Sequence, residues 1–136
     1  MSVKRENLQP EKLHVTKVNG EVLYSHVTSV EGKRQIFISG QVPRDGNGDV
    51  VGKGDMRAQL EQVCENVKIC LESAGATLAD LVQTTTYVTD IEAIFRCIDV
   101  RVRYFEAGMP TSTTVEVSRL AHSDFLVEIN AVAVVS

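Results

Sequence analysis

The stretch Phe125-Leu-Val-Glu-Ile-Asn-Ala-Val-Ala-Val-Val135 decides how this chain folds. In a strand, successive side chains point to opposite faces. Phe125, Val127, Ile129, Ala131, Ala133 and Val135 then make one wholly apolar face, which must be core. The other face carries Leu126, Glu128, Asn130, Val132 and Val134, so a carboxylate stands in the middle of an apolar strand. A lone buried carboxylate is costly unless it is paired, hydrogen-bonded or open to water. Either this face is solvated and Glu128 is merely exposed, or it lines a cleft where Glu128 holds a water or moves a proton.

Two further strands flank this one in the reading. Leu81–Val88 is β-branched and aromatic. Ser112–Val117 places Ser112, Thr114 and Glu116 on one face and Thr113, Val115 and Val117 on the other. The threonine runs Thr84-Thr85-Thr86 and Thr113-Thr114 read as strand formers. Between the strands lie two amphipathic helices. The first is capped by Asp55, with Met56, Leu60, Val63, Val67, Cys70, Leu71 and Ala74 as its apolar stripe and Gly75 at its end. The second opens at Thr89-Asp-Ile-Glu92, a capping-box pattern, and carries Ile91, Ile94, Phe95, Ile98, Val102 and Phe105 before Gly108 and Pro110 close it.

Toward the N-terminus, Leu13–Val18 and Val22–Glu31 read as strands joined by the hairpin turn Asn19-Gly20. Gln35–Gly40 is a third short strand. Val42–Gly54 holds four of the nine glycines and reads as a long, flexible surface loop. The order is βββαβαββ, an α+β fold with one sheet and both helices on one face. The 136 residues make a single domain, 1–136.

Composition narrows the function. Apolar residues are 43% and charged residues 24%, the balance of a globular protein rather than a disordered one. The longest apolar run, Ala131–Val135, is far short of a membrane span. The N-terminal residues are charged, with no apolar leader, so a cytoplasmic protein is expected. A net charge of −4 argues against nucleic acid as a partner. Three cysteines without a Cys-x-x-Cys pair suit neither a disulfide framework nor zinc, and they read as reduced core thiols. His14, His26 and His122 have no metal-ligand spacing, so no metal is expected. His14 and His122 read as surface residues, and His26 as structural when taken alone. Gly46-x-Gly48-x-x-x-Gly52-Lys53-Gly54 fits neither the dinucleotide nor the phosphate-loop pattern.

Several segments, in order, resemble one family across nearly the whole chain. They are Phe37-Ile-Ser-Gly-Gln-Val-Pro43, Glu72-Ser-Ala-Gly75, Thr85-Thr-Tyr-Val-Thr-Asp90, Tyr104-Phe105, Pro110 and Val127-Glu-Ile-Asn-Ala-Val-Ala133. The family is the reactive-intermediate deaminase (Rid, or YjgF-like) superfamily. The resemblance implies a chorismate-mutase-like fold in a homotrimer with a barrel-like core. It implies ligand clefts at the subunit interfaces and hydrolysis of imines or enamines such as 2-aminoacrylate without metal or organic cofactor.

Carried over residue by residue, the resemblance makes Glu128 the catalytic residue that positions water. Ser39 and Gly40 would touch the ligand through their backbone. Thr114 stands where many members have a cysteine, and His26 where many have a tyrosine. Ser112 stands where deaminase members carry an arginine that forks onto the substrate carboxylate, and Ile98 where they carry an asparagine. A serine supplies no charge-assisted pair. The chain is thus identified with an arginine-lacking branch for which 2-aminoacrylate is a doubtful substrate, and Arg44, Arg101, Arg103 and Arg119 are the candidates to replace the anchor. The reading expected first is a small-imine hydrolase. A trimer that only binds a metabolite or a protein comes second, and an endoribonuclease third.

Overall fold

A computed structural model describes residues 4–136. The chain runs β1 (Lys4–Leu8), β2 (Lys17–Val18), β3 (Glu21–Val22), β4 (Val27–Glu31), β5 (Arg34–Gln41), α1 (Met56–Ser73), a 3-10 turn (Leu78–Asp80), β6 (Leu81–Val88), α2 (Ile91–Phe95), α3 (Ile98–Phe105), β7 (Thr111–Glu116) and β8 (Val127–Val135). It is an α+β fold. The main sheet has four strands in the order β5-β8-β6-β7, with β8 antiparallel to both neighbours and β6 parallel to β7.

Helix α1 lies across β8 and β5 and packs on the apolar face foreseen for the last strand. Val127, Ile129, Ala131 and Ala133 are buried there beneath Leu60, Val63, Val67 and Leu71. Asp55 caps the helix, accepting a hydrogen bond from Ala58 N at 3.1 Å. Ala74 is the C-terminal cap and Gly75 follows it with φ 77, the left-handed conformation that glycine takes without strain. Gln59 lies within the buried face and is fully buried. Its amide donates to Gly52 O at 3.1 Å and Asp124 O at 2.7 Å, and its oxygen accepts from Leu126 N at 2.8 Å.

The structure corrects four expectations. First, the N-terminal strands do not join the sheet. β1 pairs with β4 and β2 with β3, as two separate two-stranded ribbons. The Asn19-Gly20 turn forms with φ 51 and 80, but its hairpin has only two paired positions per strand. β1 had no counterpart in the reading because Lys4-Arg-Glu-Asn-Leu8 has no apolar alternation. Arg5 fastens it instead, donating to the carbonyls of Ala79, Leu81 and Gly108.

Second, the helix expected from Ile91 to Phe105 is two helices divided at Arg96 and Cys97. Its cap is Asp90 rather than Thr89, because the Asp90 carboxylate accepts from Glu92 N and Ala93 N. Third, the helix ends at Phe105, ahead of Gly108, and the left-handed conformation after it falls to Met109 (φ 42), while Gly108 allows close approach to Leu78 O, 2.7 Å from where a Cβ would stand. Fourth, the Val42–Gly54 loop is pinned rather than free. Asn66 donates to Val42 O and Arg44 O, Gln59 holds Gly52 O, and the Arg44 guanidinium lies 4.9 Å from the centre of the Phe125 ring.

Gln59 thus ties α1, the glycine loop and the approach to β8 together. Gln59→Leu should lower unfolding free energy by about 3 kcal/mol, since three backbone groups lose their partner in a dry site. Urea denaturation checks this, and a loss below about 1 kcal/mol would mean that water takes over those bonds.

Candidate functional site

Glu128 sits on the face of β8 turned away from the helices. Its register partner across β6 is Tyr87, and Asn130 on the same face is opposite Thr85. All four side chains are half-buried. On the other side of β8 the ladder with β5 is irregular between Ile38 and Gln41. The displaced residues are Ser39 and Gly40. A bulge of this kind bends the strand and re-aims its neighbours.

The consequence is a close approach of Glu128 to Gly40. A Cβ placed on Gly40 would stand 1.9 Å from Glu128 Oε2 and 2.7 Å from its Cδ. A side chain at position 40 would displace the carboxylate from where it lies against this backbone. Ser39 beside it is exposed, and its carbonyl accepts from Gln41 Nε2 at 3.1 Å. Three of the residues picked from the sequence, Ser39, Gly40 and Glu128, are therefore neighbours in space. They form an uncovered patch with Asn130, whose Oδ1 is buried without a partner among the described residues. Phe37, 73% exposed, and the half-buried Val132 adjoin it in register.

Ser112 and Thr114 fall elsewhere. In register with the buried Thr84 and Thr86, they share the helix-side face of the sheet. One chain alone cannot bring them to Glu128. Both hydroxyls accept from Arg101 of α3, at 2.6 Å for Ser112 Oγ and 3.0 Å for Thr114 Oγ1. His26 is also apart. Its backbone N–H donates to Gln9 Oε1, its Nε2 lies 2.9 Å from His14 O, and its ring meets Tyr24 edge-on. These contacts all lie within the N-terminal segment.

Arg101, one of the four arginines that could replace the anchor, is the one bonded to Ser112 and Thr114, although the apolar pattern puts Val102 rather than Arg101 on the helix stripe. It is buried, with no carboxylate in ion-pair range among the described residues. Burial pulls the guanidinium below its ordinary pKa. The nearby Cys64 thiol is pushed up to about 12, chiefly by burial, and stays neutral. The spacing Ile94, Ile98, Arg101, Phe105 was a signal, because steps of four, three and four put the arginine on an apolar helix face. Among the described residues no cluster of His, Cys, Asp or Glu could hold a metal ion, and all three cysteines are free thiols. No helix of the described residues is long and apolar enough to cross a membrane.

A four-stranded sheet under one long helix is a plan shared with known proteins. The sequence profile described as Endoribonuclease L-PSP matches residues 16–135, and the chain belongs to that family. A RutC family protein from Pyrococcus abyssi is 41% identical over 98 residues, covering 72% of this chain and 76% of that protein. A 2-iminobutanoate/2-iminopropanoate deaminase from Salmonella typhimurium is 35% identical, covering 80% and 86%. Among solved structures, a Yersinia pestis protein of the conserved Rid family superposes with a TM-score of 0.85 at 32% identity, covering 96% of this chain and 98% of that one. The YjgF-like fold and Rid superfamily membership follow.

The Gly40–Glu128 approach can be tested on its own. Gly40→Ala should cost about 1–3 kcal/mol by overpacking against the carboxylate. In a Glu128→Ala background most of that cost should vanish, giving a coupling of about 1 kcal/mol or more in a double-mutant cycle. Additive losses in chemical denaturation would place the carboxylate away from Gly40.

Proposed function

We propose that the protein hydrolyses a small imine or enamine metabolite, releasing ammonia, with Glu128 orienting the attacking water. The observation that carries this reading is the Glu128 carboxylate lodged at the Ser39-Gly40 bulge on an uncovered sheet face. A relative 35% identical to this chain bears the name of an imine deaminase. Net charge −4 is poorly matched to RNA as a substrate.

The chemistry needs no resident cofactor. Water adds through its oxygen to the C=N carbon while a proton passes by way of the carboxylate to nitrogen. The C–N bond then breaks, ammonia leaves and a carbonyl compound remains. Glu128 serves as base to the water, then takes the hydroxyl proton of the carbinolamine as the carbonyl forms and hands it to the departing nitrogen. An enamine enters the same route after its N–H proton moves to carbon to give the imine tautomer. The backbone at the exposed Ser39 and the half-buried Gly40 lies beside this carboxylate and would fix the ligand's orientation.

Assembly completes the site. The face bearing Glu128 also presents Phe37, Val132 and Val115, with Phe37 and Val115 exposed, and apolar surface of this kind favours burial against another copy. In a homotrimer, Glu128 of one chain would share a cleft with Ser112 and Thr114 of the next. That arrangement answers the separation of these residues within a single chain. His26 would contribute to the cleft from the N-terminal segment.

Two measurements check the reading. Light scattering should give about three times 14.9 kDa, and a clean monomer would overturn the cleft. With imines generated in situ by an amino-acid oxidase, the wild type should accelerate ammonia release. Glu128→Gln should lower that rate by about 10²-fold or more with little change in melting temperature. Full activity in this variant would leave a binding trimer as the better account.

A further inference from the structure

The helix-side face of β6 and β7 is unusually polar for a core. Thr84, Thr86, Ser112 and Thr114 stand there in two registered pairs. Arg101 enters from the helix and spends two of its five N–H groups on Ser112 and Thr114. Among the described residues its Nε–H has no partner, nor do the hydroxyl oxygens of Thr84 and Thr86, and all three atoms are buried. The guanidinium is therefore a buried cation with neutral acceptors only, at 5% exposure. As a mere tie between helix and strand this is poor design, because an unpaired buried charge costs more than two neutral hydrogen bonds return.

Space adjoins it. A cavity of about 60 Å³ is lined by Arg101, Val102, Phe105 and Met109 on one side and by Val22 and Leu23 of the N-terminal segment on the other. Two carboxylates also line it, Glu21 and Glu106, and both side chains are exposed rather than turned onto the arginine. The β2–β3 hairpin that covers the cavity has only two residue pairs, so it is marginal as a structure and opens at small cost. A planar guanidinium with free N–H groups, walled by apolar side chains, is matched to a compact carboxylate through a forked, charge-assisted pair.

We propose that Arg101 is the carboxylate-binding residue of this protein, carried on helix α3 to the point where Ser112 stands on the strand. The inference rests on the hydrolase reading for its place in catalysis, since it gives the acid group of a small imino acid a partner. Binding itself requires no turnover. Ser112 and Thr114 orient the guanidinium, so they are positioning residues. Because Arg101 and Glu128 occupy opposite faces of one sheet, a ligand touching both takes them from different copies.

Binding is measured first, by calorimetry and thermal shift with acetate and pyruvate, using acetamide at equal ionic strength as the neutral control. The wild type should bind the two carboxylates saturably and ignore acetamide. Arg101→Met should lose binding by at least tenfold, and Arg101→Lys should retain part of it. Should Arg101→Met fail to fold, Ser112→Ala with Thr114→Val keeps the charge and should weaken binding several-fold through misorientation. Absence of binding in the wild type, or equal binding in Arg101→Met, overturns the proposal.

The second measurement mixes Arg101→Met and Glu128→Gln chains, each inactive alone, and refolds them together. Random assembly leaves about a quarter of the clefts with both residues intact, and ammonia release should recover to that level. A mixture that stays inactive while the wild type is active refutes the shared cleft. A wild type that binds carboxylate yet turns over no imine rejects the hydrolase reading and keeps the anion site.

Discussion

Everything that matters here hangs on the alternation along β8. Its five helix-side residues, Val127, Ile129, Ala131, Ala133 and Val135, are buried, and α1 packs on their strand more than on any other. With that face committed to the core, Glu128, Asn130 and Val132 have no freedom to turn inward. A slip of one residue would bury the carboxylate and expose the valines, so the core itself enforces the register. The site is thus a by-product of packing: the same contacts that hold the sheet together hold Glu128 out of it. The bulge at Ser39-Gly40 then adjusts one neighbouring strand so that backbone, not a side chain, lies against the carboxylate.

Arg101 presents the converse case. Here a charge is drawn into the core side and kept there by two hydroxyls. Burial lowers its pKa, yet an arginine remains protonated at any accessible pH, so the positive charge persists. Such a group raises the free energy of the folded chain unless an anion joins it. Natural proteins carry strain of that kind where binding relieves it. The exposed pairs of α3, Arg57 with Asp99 and Arg103 with Glu61, are by contrast ordinary surface ion pairs of small effect.

The N-terminal segment acts as a strap. Arg5 reaches the carbonyls before β6 and after α3, and Ser25 bonds Pro110 O and Met109 O at the start of β7. It closes over one end of the sheet and covers α3 beside Arg101. Its stability comes from side chains donating to exposed carbonyl ends rather than from apolar burial. Periodicity therefore had nothing to report there.

Sequence alone determined the parts that rest on local physics. The apolar stripe of α1, its Asp55 cap, the Gly75 ending, the Asn19-Gly20 turn and the two-faced β8 were all readable, because each depends on neighbours within a few residues. So was the oddness of Glu128. The resemblance added Ser39 and Gly40 as its companions, and the bulge sets Gly40 against the carboxylate. Tertiary structure decided the rest. Ser112 and Glu128 both lie on strands, but only the sheet's register shows that they face opposite ways. Arg101 was one of four arginines until its hydrogen bonds to Ser112 and Thr114 singled it out, since an arginine's long side chain serves a neighbour that no spacing rule names. The separate N-terminal ribbons followed from long-range hydrogen bonds to carbonyls roughly a hundred residues away. Such bonds leave no trace in local pattern.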